Sequence, residues 1–180
     1  DLDDGPLTIS NTRRLGSCRY VVDKRIIFED GAEIILMGAS IEIVAPDIKI
    51  RSGARFIDRC EPDVDEDCSS SFLRLEATAE NIESVGDFLL TYTREASADS
   101  DEMDSPGSDV YGRDLNLSAT AGDVRLVGEE TITLCGDSNE GEGGSLTINA
   151  EAEVFVDANI DTSGNCGAGS SGNKSGSVTI

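Results

Sequence analysis

The segments Leu146-Thr-Ile148 and Val178-Thr-Ile180, each preceded by a glycine-rich turn, decide the fold of this chain. In both, apolar residues flank a polar one, which is typical of a β-strand that buries one face. Four more triplets of this kind lie upstream, so the pattern is a repeat. They are Leu7-Thr-Ile9, Ile41-Glu-Ile43, Leu73-Arg-Leu75 and Leu115-Asn-Leu117.

The intervals between successive triplets are 34, 32, 42, 31 and 32 residues. The one long interval contains an acidic stretch, 95–112, and without part of it the period would be near 32 throughout. A constant period in this range is typical of proteins built from stacked repeats.

A second short strand follows most triplets, as in Pro46-Asp-Ile-Lys-Ile50. One coil of two or three such strands cannot bury its inward side chains, whereas coils stacked about 4.8 Å apart pair their backbone groups with each other. We therefore predict an all-β, parallel β-solenoid (β-helix) of about five coils. It forms a single domain over 1–180, with loop insertions at about 57–71 and 95–112.

Two other folds compete with the solenoid. An antiparallel sandwich also has short strands and frequent turns, but it does not require a constant period. A short helix is an alternative in residues 72–95, where apolar residues fall at helical spacing, namely Ile82, Val85, Phe88 and Leu89. Gly86 interrupts that pattern and weakens it.

The charge of the chain limits the classes of partner that can be expected. With 14 Lys+Arg against 36 Asp+Glu, the net charge is −22. Nucleic acids are bound through cationic side chains, so no nucleic acid partner is expected. No apolar run approaches the ~18 residues of a membrane-spanning helix, so no membrane insertion is expected. The absence of His removes the commonest general base and metal ligand.

The five cysteines suggest two disulfides. Cys135 and Cys166 are 31 residues apart, close to one period, and would be stacked about 5 Å apart on adjacent coils, which suits a disulfide. A Cys60–Cys68 bridge would close a small acidic loop. The alternative for these pairs is free thiols. The leftover Cys18 favours an intermolecular bond or a free thiol, and the alternative is a small buried apolar residue. Disulfides imply an oxidising place, extracellular or at the cell surface.

Acidic side chains cluster in both predicted insertions and are candidate ligands for Ca²⁺. The first cluster resembles the start of an EF-hand loop, but Cys68 takes the place of its glycine and the closing glutamate is missing. The alternative is a solvated loop. The candidate ligands are Asp63, Asp65, Asp67, Asp99, Asp101 and Asp104.

The first and last triplets carry the edges of the stack. We expect no polar or helical cap on either end, so that Leu7 and Ile9 form one edge and Val178 and Ile180 the other. An uncapped edge presents backbone donors and acceptors that pair with another chain. We expect either a trimmed piece of a longer solenoid or a subunit that polymerises head to tail.

The runs Gly143-Gly-Ser-Leu-Thr-Ile148 and Ser175-Gly-Ser-Val-Thr-Ile180 resemble bacterial surface and secreted β-helix proteins, especially filamentous-haemagglutinin-like adhesins. The resemblance covers mainly residues 113–180. It implies a parallel β-helix that serves as an adhesive or scaffolding fibre.

We therefore predict an extracellular structural protein, a self-associating filament or surface-fibre subunit whose partner is a second copy. One alternative is an adhesin fragment that binds a receptor or glycan. Another is a polysaccharide-acting β-helix enzyme with Arg51, Arg55 or Arg59 as its base. We expect those arginines to be outward strand and turn residues and the protein not to be an enzyme, since a charge of −22 repels polyanions.

Overall fold

A computed structural model describes residues 5–38, 40–59, 72–94, 109–136, 142–164 and 175–180. All regular structure in these ranges is β. The strands are β1 Leu7–Ile9, β2 Arg13–Leu15, β3 Cys18–Val21, β4 Ile26–Phe28, β5 Glu33–Leu36, β6 Ser40–Ala45, β7 Ile48–Ile50, β8 Arg55–Asp58, β9 Phe72–Ala77, β10 Ile82–Ser84, β11 Asp87–Leu89, β12 Thr91–Arg94, β13 Asp109–Gly112, β14 Asp114–Ala119, β15 Val124–Thr133, β16 Leu146–Ala150, β17 Val154–Asp161 and β18 Val178–Thr179.

Two parallel sheets contain nearly all of these strands. The first has the order β1-β4-β7-β10-β15-β11-β8-β5-β2, with β17 also pairing β15, and the second has the order β18-β16-β14-β9-β6-β3. Strand β15 pairs β10 with its first half and β11 with its second half, so the first sheet has two arms. We call the arm that contains β1 the first arm and the arm that contains β2 the second arm. This all-parallel pairing is consistent with the predicted β-solenoid.

The alternative helix is wrong. Residues 82–89 form β10 and β11, two three-residue strands on different arms. The apparent helical spacing arises because the chain turns between them. A Cβ at Gly86 would lie 2.7 Å from the carbonyl oxygen of Ala54, so the turn there admits no larger residue without a shift.

The second sheet brings five of the six triplets into register. Leu73 pairs with Ile41, Leu115 with Leu73, Leu146 with Leu115, and Val178 with Leu146. The sixth triplet differs, because Leu7–Ile9 pairs with β4 on the first arm, 19 residues further on. Cys18–Tyr20 takes the expected place beside Ile41–Ile43. Short turns near the N-terminus explain the difference, since they let the chain return to the same sheet after fewer residues.

Inward positions of both sheets form aliphatic stacks that fill a narrow core. Alternate residues of β9 and β14 are fully buried, while the residues between them are half-buried and Asp114 is exposed. Phe56 lies between Phe28 and Phe88, with ring centroids 5.0 and 5.1 Å away. A core of this width needs few aromatic residues, which agrees with an aromatic content of 4%.

A ladder of side-chain hydrogen bonds fixes the register where the second sheet leads into the first arm. Asp47 Oδ1 accepts from the backbone N–H of Asn81 at 3.1 Å, and Asn81 Oδ1 accepts from that of Asp123 at 2.8 Å. Asp123 Oδ1 accepts from the N–H of Glu153 at 3.1 Å. Each bond joins equivalent positions of successive strands, so a slipped register would break the whole ladder.

The long connections all leave where the second arm leads into the second sheet. The segments 60–71, 137–141 and 165–174, outside the described residues, follow β8, β15 and β17 respectively. The hairpin of β12 and β13, which are antiparallel, follows β11. The bounds of the two predicted insertions therefore change slightly. The first begins after β8, which continues to Asp58, and the last four residues of the second, 109–112, form a strand that pairs with 91–94. The connections between the second arm and the second sheet therefore differ in length while the strands on either side of them stay in register.

A stacked core of this kind makes inward truncation costly. We expect Leu117→Ala to lower the free energy of unfolding by about 2–5 kcal/mol, because it opens a cavity in a fully buried stack. Asn116→Ala, on the outward face of the same strand, is the control and should cost less than about 1 kcal/mol. Urea unfolding followed by circular dichroism measures both, and equal losses would contradict the assigned faces.

Candidate assembly surfaces

The predicted edge residues lie at opposite ends of the two sheets. Leu7 and Ile9 belong to β1, which pairs only with β4 among the described strands. Val178 belongs to β18, whose one partner in the described ranges is β16, and Ile180 follows it. Strands β2 and β3 complete the first edge, which we call the N-edge, and β17 completes the second, which we call the C-edge.

Exposed apolar side chains concentrate at these edges. Leu7 and Val21 on the N-edge are 42% and 67% exposed. Phe155, Val178 and Ile180 on the C-edge are 45%, 46% and 72% exposed. Only two other large apolar side chains in the described ranges, Val85 and Val127, are comparably exposed. The edges are therefore the apolar part of an otherwise strongly acidic surface.

The N-edge opens into the core. A cavity of about 280 Å³ lies there, almost entirely apolar in its walls. Leu15, Tyr20, Phe28 and Ile34 contribute to the lining, and Arg13 also borders it. Among the described residues, the cavity is the open end of the inward stacks, and its apolar walls fit aliphatic side chains.

Charge is divided unequally between the edges. Five of the 14 cationic side chains lie within residues 5–25, which contain a single acid, Asp23. They are Arg13, Arg14, Arg19, Lys24 and Arg25. Residues 150–164 of the C-edge contain four acids and no cation, and the acids are Glu151, Glu153, Asp157 and Asp161. Asp1, Asp3 and Asp4 precede the N-edge and lie outside the described residues. The sequence contained this polarity, but a net charge of −22 conceals it.

Some of these charges are already neutralised within the chain. Arg19 lies 3.2 Å from Glu42, and Arg25 binds both Asp47 and Glu80. Hydrogen bonding to Asp47, and then to Glu80, raises the pKa of Arg25.

Other charges at the edges are available to a partner. In the part of the chain that the structure describes, Arg13 and Arg14 form no ion pair, nor do Asp157 and Asp161 of the C-edge. Asp161 Oδ1 does accept a hydrogen bond from the N–H of Ser163 at 2.9 Å.

The sequence did not reveal a buried ion pair near the long connections. Arg113 and Asp58 are both fully buried, with Nε–Oδ2 and Nη2–Oδ1 distances of 2.8 and 2.7 Å. Arg113 Nη1 also donates to the carbonyls of Gly38 and Phe72, at 2.9 and 3.4 Å. One side chain thus joins three successive turns of the chain. It is a structural residue, because it has no surface exposed to a ligand.

The predicted site residues have different outcomes. Cys18 is a free, exposed thiol on the N-edge. Cys135 is buried, but Cys166 lies outside the described residues, so their pairing stays a prediction. Cys60 and Cys68 also lie outside, as do all six candidate Ca²⁺ ligands.

The three arginines proposed as enzyme bases are spread along one segment. Arg51 precedes the turn before β8, Arg55 begins that strand and Arg59 follows it, and all three are exposed. Arg55 lies 3.9 Å from Asp87, its neighbour in the sheet. This placement agrees with the outward positions expected for them.

Comparison with known proteins adds no assignment. No protein-family model matches the chain, and no curated protein or solved structure is significantly similar to it. Among the described residues, no group of three or more His, Cys, Asp or Glu side chains is placed to hold a metal ion. No helix in those ranges is long and apolar enough to cross a membrane.

The buried ion pair gives a stability test. We expect Arg113→Leu to lower the free energy of unfolding by about 3–5 kcal/mol, because it leaves the Asp58 carboxylate buried without its partner. The double variant Arg113→Leu/Asp58→Leu should recover most of that loss. Arg125→Leu, which breaks only exposed ion pairs with Asp123 and Glu153, is the control and should cost about 1 kcal/mol or less. Chemical denaturation measures all three, and a double variant as unstable as the single would contradict the assigned role.

Proposed function

We propose that this chain is an extracellular structural protein whose copies stack head to tail into a filament or surface fibre. The observation that carries the proposal is the pair of unlike edges. The N-edge is cationic with an open apolar cavity, and the C-edge is anionic with exposed Phe155, Val178 and Ile180. The C-edge offers anionic and apolar side chains, which fit the cations and the apolar cavity of the N-edge.

The number of coils and the repeat length are part of the same proposal. Copies that stack in this way continue one solenoid of five to six short coils per chain, with a period near 32 after the first coils. The disulfide predicted between Cys135 and Cys166, one repeat apart, supports an oxidising, extracellular location. A fibre built from repeated rigid coils is a scaffold, so no catalytic group is assigned.

Strand pairing predicts which backbone groups would join two copies. Leu7 N–H donates to Arg25, and Ile9 C=O accepts from Glu29, so these groups face β4. In a parallel ladder the groups of the intervening residue face the other side. Thr8 N–H therefore faces the open side of the N-edge, where a second copy would accept it.

Assembly can accordingly be tested by removing one hydrogen-bond donor, the backbone N–H of Thr8. At near-physiological ionic strength we expect the chain to form oligomers that grow with concentration and appear as thin filaments in negative stain. Thr8→Pro removes the outward N–H, which proline tolerates on an open edge, and should abolish or strongly reduce assembly. Thr8→Ala keeps the N–H and should assemble like the parent.

Sedimentation velocity and electron microscopy provide the readout, and unchanged circular dichroism shows that each variant is folded. A parent chain that stays monomeric at every concentration would sink the proposal. An adhesin that acts as a monomer would then be the better hypothesis. Assembly that is indifferent to Thr8→Pro would place the contact elsewhere on the surface.

A further inference from the structure

We propose that the two edges join in one register, with the C-edge of one copy lying on the N-edge of the next so that β17 pairs with both β1 and β2. This inference rests on the proposed head-to-tail assembly and assigns its partner residues. In this register Val154 lies opposite Leu7 of the next copy, Ile160 opposite Arg13, and Val178 opposite Cys18.

The register follows from the stacking of equivalent positions. On the first arm, Leu7 pairs with Ile26, and the same stack leads through Ile48, Ile82 and Val124 to Val154. On the second arm, Arg13 pairs with Ile34, and that stack leads through Phe56, Phe88 and Ile132 to Ile160. The two edges are therefore the first and last members of the same stacks.

The spacing of the two edges also matches. Leu7 and Arg13 are six residues apart, and so are Val154 and Ile160. The pair Ile82 and Phe88 has the same spacing, whereas Val124 and Ile132 are eight apart, and the extra length there forms a bulge at Gly128, whose φ is 110°. Because the edges need no such bulge, both arms can pair at the same time.

In this register the side chains of the two edges complement each other, both on the outward face and on the inward face. Asp161 comes to lie opposite Arg14, and neither has an ion pair within the described chain. Val154, Val156 and Ile160, which are half-buried inward residues of β17, would enter the apolar cavity of the N-edge. The cavity thereby receives the aliphatic side chains that its lining requires.

Arg13 is the one unfavourable element at this junction. It occupies an inward stack whose other members are apolar, so a second copy would desolvate its guanidinium. We expect Arg13→Ile to tighten association about tenfold or more, because that desolvation is removed. Arg14→Glu should weaken association about threefold to tenfold, and Arg14→Glu/Asp161→Arg should restore it.

A disulfide trap tests the register directly. In-register parallel strands place paired Cα atoms about 4.8 Å apart, within the range of a disulfide. Val178→Cys should therefore form a bond with Cys18 of the next copy under mild oxidation and give a ladder of covalent oligomers on non-reducing gels. Thr179→Cys lies one residue along, opposite Arg19 and on the outward face, and is the matched control.

The outcomes separate the register from the assembly itself. A ladder from Val178→Cys that is lost in Val178→Cys/Cys18→Ser, and is absent from Thr179→Cys and the parent, supports the register. Filaments that form without this specific ladder would overturn the register and leave the head-to-tail proposal standing. Absence of any assembly in the parent would overturn both.

Discussion

Parallel, in-register pairing between successive strands is the constraint on which the structure depends. In such a ladder each strand directs half of its backbone groups to one neighbour and half to the other. In-register pairing also places like side chains on one another, so the aliphatic stack from Ile41 to Leu146 follows from it. The same constraint leaves half of the backbone groups of β1 and β18 without a partner in the described chain. The stability of the middle and the pairing capacity of the edges thus have one cause.

Polar side chains hold that register at two positions with different chemistry. Where the connection is tight, Asp47, Asn81 and Asp123 bond the backbone of the next turn, and slippage is opposed at the surface. Where the long connections leave, the buried pair of Arg113 and Asp58 adds side-chain bonds across three turns. A buried ion pair contributes little net stability compared with apolar packing, but breaking it is costly. Its effect here is to specify one arrangement of the chain beside variable loops.

Much of this fold could be predicted from alternation and spacing, and the failures have physical reasons. Five triplets were in register because each coil after the second needs 31 residues or more, which makes the repeat visible. Leu7–Ile9 was misplaced because alternation reveals a buried face but not which sheet carries it. Arg113 was missed because an arginine in a charged chain is usually exposed; its alignment with Gly144 and Gly176 at the same turn was the only available signal. A Cβ at Gly144 would lie 2.2 Å from the carbonyl oxygen of Arg113, so this position is crowded by backbone.

The net charge of −22 at first argues against any assembly, and its distribution reverses that argument. At physiological salt, charges more than about 8 Å apart are largely screened, so the acidic loops of two copies repel weakly unless they are adjacent. The outcome is then decided by the groups at the contact. Two C-edges would bring acids against acids, and two N-edges would bring unpaired cations such as Arg14 together, whereas unlike edges oppose Arg14 with Asp161. In the proposed assembly, charge would favour the unlike contact over the two like contacts, and only the unlike contact would leave one edge of each kind at the ends of the stack. With five of its 14 cations within residues 5–25, the chain would thus add copies through one repeated contact.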